Sequence, residues 1–147
     1  MINEQLKATG QLTITLTDKD GNIKEQKTVP NLVVTTGKNL IASRMIDASQ
    51  AVMSHMGIGT GTAAPAAADT VLQTPTGTRA TLATASATGN VVTYAATFAS
   101  GNGVGAITEA GIFNASTSGT MLCRTSFSPV NKDTLDVLTI SWSITLT

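Results

Sequence analysis

Reactive and ligating side chains are scarce in this chain. Among 147 residues there are one cysteine, one histidine, one tryptophan, one tyrosine and three phenylalanines. Cys123 alone cannot close an intramolecular disulfide, and neither it nor His55 has a partner at the spacing of a metal site. A Ser–His–carboxylate relay would have to use His55, which alternates with Ser54 and Met56 on an apparent strand, where a structural or surface role is the simpler reading. Aromatic residues make up 3% of the chain, which leaves few rings to stack on sugars. No apolar run reaches the ~20 residues of a membrane-crossing helix. Residues 1–7 lack the basic region and apolar stretch of a secretion signal, so the chain is expected to be made and used in the soluble phase, with no membrane partner.

Charge is sparse as well. Charged residues account for 12%, about half of the roughly 25% usual in globular domains. Nine basic residues balance nine acidic ones, and no stretch interleaves Lys or Arg with aromatics as a nucleic-acid groove requires, so direct DNA or RNA binding is not expected. Residues 51–123 carry only Asp69, Arg79 and Glu109 as formal charges. Such a segment is either a Thr-rich solvated β surface or a surface covered by neighbouring subunits, because charge depletion marks interface cores.

What the chain does contain is alternation. Leu12, Ile14 and Leu16 share one face of residues 10–17 and Thr13, Thr15 and Thr17 the other, the period of a half-buried strand. Asp20-Gly21 supplies a tight hairpin turn, and Ile23–Val29 returns until Pro30 ends the strand or places it at an edge. Thr35 and Thr36 can cap a helix whose Leu40, Ile41, Met45 and Ile46 lie along one stripe, giving one short helix near residues 36–47. Val52–Gly59 reads as a strand, residues 60–68 as a long loop of small residues, and Asp69 as the cap of a short turn through Leu72. Further strands are expected at 80–87, 91–98, 107–113 and 121–127, the second and third separated by Ser100–Gly105 and the last closed by Pro129–Asp133. Leu138, Ile140, Trp142, Ile144 and Leu146 alternate with Thr and Ser in the strongest strand, which is expected at the sheet's centre or tightly paired. Leu135 and Val137 are out of phase with it, which predicts a β-bulge or a change of sheet near 137–138. The expected class is all-β: about eight antiparallel strands in a two-sheet β-sandwich. An amino-terminal arm, residues 1–9, precedes a single domain, residues 10–147.

Catalytic and cofactor chemistry finds no constellation. Gly57-Ile58-Gly59-Thr60-Gly61 resembles half of a phosphate loop, but no Lys follows it and an Ala/Pro loop replaces the helix. Asp18-Lys19-Asp20-Gly21 lacks the remaining oxygen ligands of a calcium loop. Glu109 has no paired acid or base, so its expected role is an ion pair or backbone hydrogen bonds, with Arg79 and Arg124 as partners by their rarity. The chain is accordingly expected to be no enzyme and to hold no cofactor or metal.

The segments 56–65 (Met-Gly-Ile-Gly-Thr-Gly-Thr-Ala-Ala-Pro), 108–114 (Thr-Glu-Ala-Gly-Ile-Phe-Asn), 121–127 (Met-Leu-Cys-Arg-Thr-Ser-Phe) and 138–142 (Leu-Thr-Ile-Ser-Trp) resemble small tailed-bacteriophage virion proteins. The resemblance spans about residues 28–147. Within that group the chain is similar to capsid cement or head decoration proteins, and similar strings occur in tail-fibre and other tail-associated proteins. The resemblance implies a jelly-roll-like β-sandwich that forms dimers or trimers. It also implies attachment over junctions between major capsid protein subunits on the outer capsid surface of the virion, after synthesis in the host bacterial cytoplasm. Candidate subunit contacts are Ile2 and Leu6 in the arm, Thr60 and Pro65 in the loop, and Arg79 and Glu109. A tail or tail-fibre protein is the alternative, and a carbohydrate-binding sandwich a third.

Overall fold

The computed structural model describes residues 2–46 and 49–147. The strands are β1 (Ala8–Thr17), β2 (Ile23–Val33), β3 (His55–Gly59), β4 (Pro75–Thr81), β5 (Thr84–Thr88), β6 (Val91–Phe98), β7 (Gly105–Phe113), β8 (Met121–Lys132) and β9 (Val137–Leu146), with one helix, α1 (Thr35–Ser43), after β2. All pairings are antiparallel, in the order β4-β3-β7-β8-β2-β1-β9-β6-β5. The sheet is one continuous ladder curled into a half-barrel, where alternation alone suggests two separate sheets.

β2 makes the curl. Its residues through Asn31 pair with β1, and Leu32 and Val33 then pair with Arg124 and Cys123 of β8. Pro30 therefore does not end the strand. It sits where the ladder changes partner, and its carbonyl accepts a 2.7 Å hydrogen bond from the Thr125 hydroxyl. At the far side of the curl the two edge strands are consecutive in the chain. Leu82 N–H donates to Ser54 and Ala83 N–H to Ala95, so the expected strand over 80–87 is two strands that bend apart at 82–83.

One core fills the concavity. Leu12, Ile14 and Leu16 of β1, Phe98 of β6, and Leu138, Ile140 and Trp142 of β9 meet Met56 and Ile58 of β3 and Ile107 and Ile112 of β7. β9 lies between β1 and β6, paired on both sides along its length. Its register with β1 is unbroken from Ala8↔Leu146 to Thr17↔Val137, so the bulge expected at 137–138 is absent; Leu135 simply lies exposed in the preceding turn. β8 continues through Pro129 to Lys132, because β2 has left that side and the missing proline N–H breaks no second ladder.

The helix also departs from its expected form. Val34 is the N-cap and no side chain caps the helix; the Thr36 hydroxyl instead donates to Met121 carbonyl across to β8. Gly37 is buried against the Leu122 backbone, which lets the helix lie directly on the sheet. Regular helix stops at Ser43, after which Met45 and Ile46 close tight three-residue turns onto Ala42 and Ser43. That tightening carries Met45 and Ile46 off the Leu40/Ile41 stripe, leaving them 82% and 93% exposed. Residue 47, the expected helix end, lies outside the described residues.

Candidate functional site

Two places in the fold concentrate what the sequence singles out. The first is the outer face of β7 and β8, where the loop between β3 and β4 folds back over the sheet. Glu109 is fully buried there. Its Oε1 accepts from the backbone N–H groups of Gly61 (3.1 Å) and Thr74 (2.6 Å), and its Oε2 from Gln73 N–H (2.9 Å). Arg124 Nε and Nη2 complete the set, both donating to Oε2, at 3.1 and 2.9 Å. The rest of the guanidinium reaches the Asp69 carboxylate at 2.9 Å and the carbonyls of Ala63 and Ala64.

This network binds the loop at both ends and in the middle. Asp69 also accepts from Ala66 N–H and so closes a turn on its N-terminal side, where the sequence suggests a cap for the turn that follows it through Leu72. The Thr108 hydroxyl donates to Gly61 carbonyl at 2.7 Å. Thr60 N–H donates to Thr74, and Pro65 is half-buried. Leu72 from the same loop joins Val34, Phe113 and Met121 in a second apolar cluster. The segment expected to order against a neighbour is ordered by its own sheet. From Ile107 onward every residue of β7 is buried, which needs cover on both faces.

Register selects Arg124 over Arg79 as the partner. Arg124 lies opposite Gly111, beside Glu109 on the same face. Arg79 stands on β4, its guanidinium 3.4 Å from the Phe113 ring centroid, and donates to the Ala115 and Ser118 carbonyls. Both arginines thus anchor loops within the chain.

The second place is the end of the sheet where the arm meets α1. Lys7 exchanges backbone hydrogen bonds with Thr147, so pairing begins just before β1, and residues 2–6 lie exposed beyond it. Ile2 is 89% and Leu6 73% exposed. Leu6 lines a groove of about 370 Å³ with Ala8, Ile41, Met45 and Leu146, flanked by Lys7 and Lys38. An adjoining groove of about 230 Å³ shares Ile41 and Leu146 and adds Leu40, Val52 and Tyr94. None of the residues lining these grooves comes from the 60–74 loop, so the arm and the loop do not form one site. Met45 escapes a sequence reading because its exposure follows from where the helix stops, and Val52 because β3 begins only at His55.

The remaining candidates have local explanations. Asp18 Oδ1 accepts from Asp20 and Asn22 N–H, both at 2.9 Å, around Gly21 at φ 85°; the Asn22 backbone bond leads in lowering the Asp18 carboxyl below its ordinary value. Ser54 Oγ lies 2.8 Å from His55 Nδ1, and among the described residues no carboxylate is bonded to that ring. Burial pushes the Cys123 thiol well above its ordinary range, which makes it a poor nucleophile. Among the described residues no three His, Cys, Asp or Glu groups stand together as metal ligands, and no helix is long and apolar enough to cross a membrane. No protein-family model, curated protein or solved structure matches the chain.

Proposed function

We propose that this chain is a virion structural protein that binds the outer surface of an assembled phage capsid and stabilises contacts between major capsid protein subunits. The observation that carries the reading is the joined apolar surface at the arm and α1, where Leu6, Ile41, Met45, Val52 and Leu146 line adjoining grooves, with Ile2 of the same arm exposed. Contiguous exposed apolar surface of this kind marks interaction sites. Support also comes from the latched loop, which presents Thr62, Ala63, Ala64 and Ala66 outward on a rigid base. The resemblance to decoration proteins supplies the partner and, with it, a jelly-roll-like relation between the two halves of the curled sheet and self-association as a dimer or trimer.

The physical task is mass action. A ligand that binds only the assembled lattice stabilises it by about 2.7 kcal/mol per site at a hundredfold excess over Kd. The test is co-sedimentation of the purified chain with undecorated shells. Wild type should pellet in stoichiometric amount, while Leu6→Ser and Met45→Ser lose at least tenfold in affinity with an unchanged near-ultraviolet spectrum of Trp142. Binding that ignores both substitutions would remove the arm and helix end from the contact, and absence of wild-type binding would refute the capsid assignment.

A further inference from the structure

The two edges of the sheet are built differently. β4 opens with Pro75, holds Gly77 at φ 70°, carries Arg79 and is offset from β3 by an irregularity between Met56 and Ile58. Proline, charge and bulges are the devices that stop another strand from adding to an edge. β5 has none of them. Its five residues, Thr84-Ala85-Ser86-Ala87-Thr88, are uncharged and exposed, and their register with β6 is regular from Thr84↔Ala95 to Thr88↔Val91. Among the described residues no strand lies on its outer side.

The β5 sequence also reads the same in both directions about Ser86. A two-fold axis there would set Thr84 opposite Thr88 of the partner subunit, Ala85 opposite the partner's Ala87, and Ser86 opposite its own copy. An edge that is its own complement fits a second copy of the chain, because a two-fold antiparallel pair of this palindrome puts like with like in every row. Thr opposite Thr is among the favourable cross-strand pairs. The backbone phase agrees. Thr88 and Val91 flank the two-residue turn Gly89-Asn90, with Gly89 at φ 59°, and so form a hydrogen-bonded pair. Alternation then turns the N–H and C=O of Ala85 and Ala87 outward, where a two-fold partner would supply about four backbone hydrogen bonds.

We propose that two copies of this chain join by antiparallel pairing of their β5 edges about a two-fold axis at Ser86, making one sheet across the dimer. This deepens the self-association in the proposed function and does not depend on capsid attachment. The dyad places the two Ser86 residues in a non-hydrogen-bonded pair, with Cα atoms about 4.5 Å apart, inside the range of a disulfide. Copies of residue 84 would be about 14 Å apart, four residues along the strand.

The test is mild oxidation of single-cysteine additions to the full chain, whose native Cys123 is buried. Ser86→Cys should convert to covalent dimer at least tenfold faster than Thr84→Cys, and Thr84→Cys combined with Thr88→Cys should recover the rate. Ala87→Pro removes an outward N–H, so in sedimentation it should be monomeric where wild type is dimeric. Equal cross-linking at positions 84 and 86, or a wild-type chain that sediments as a monomer or trimer, would overturn the pairing. A monomer that still pellets with shells removes this pairing alone, whereas a dimer that ignores shells removes the capsid reading alone.

Discussion

Replacing Glu109 by alanine would leave the Arg124 guanidinium, 2% exposed, with Asp69 as its remaining carboxylate and with the Ala63 and Ala64 carbonyls. Breaking a buried pair by removing one partner costs about 3–5 kcal/mol, since the other charge stays desolvated. Gly61 N–H also loses its acceptor in a buried setting, a penalty of about 1–3 kcal/mol that overlaps with the first. A loss of about 4 kcal/mol is therefore expected, against a total stability of about 5–15 kcal/mol for a domain. With a urea slope of about 2 kcal/mol per molar, the unfolding midpoint should fall by about 2 M. Glu109→Gln should fall between wild type and alanine, because one oxygen still accepts while the amide opposes the guanidinium donors. Glu109→Leu combined with Arg124→Met should be much less destabilised than the sum of its single changes. A midpoint for Glu109→Ala within about 0.25 M of wild type, or strict additivity in the double variant, would refute the latch.

Gly37→Ala would drive a methyl into the Leu122 carbonyl, which is backbone and cannot yield cheaply, so thermal denaturation should register about 1–3 kcal/mol of destabilisation. Trp142 is fully buried with an indole N–H that finds no partner among the described residues, so Trp142→Phe should cost about 1–2 kcal/mol and Trp142→Ala about 3–5 by the same measurement. Lys24 donates a 2.7 Å bond to Asp136, which above all holds that carboxyl below its ordinary 3.8 and the amine above its ordinary 10.5. The carboxyl's contribution is complete above 3.8 and lost as pH falls through its depressed value. The amine's is complete below 10.5 and lost as pH rises through its raised value. Lys24→Met should flatten both arms of a stability–pH curve, and an unchanged curve would dismiss the pair.

Alternation made the faces of β1, β6 and β9 legible, and the residues it turns inward, Leu12, Ile14, Leu16, Phe98, Ile140 and Trp142, form the core. It could not name neighbours, because period two says which side a residue faces and not which strand lies beside it. One curled ladder therefore replaces two expected sheets, with the change of partner hidden at Pro30 and Leu32. Glu109 was conspicuous by its rarity, and its ion-pair role was legible. The choice of Arg124 needed the β7–β8 register, and Asp69 joined the pair only through the path of an irregular loop. The helix end was illegible because its stripe continues in sequence through Met45 and Ile46 while the backbone tightens before them.

Electron cryomicroscopy of the virion is the decisive test of the proposed attachment to the assembled shell. This fold should repeat in stoichiometric array over the outer capsid surface, with the arm and α1 end against the major capsid protein. Density for the chain confined to the tail would contradict it.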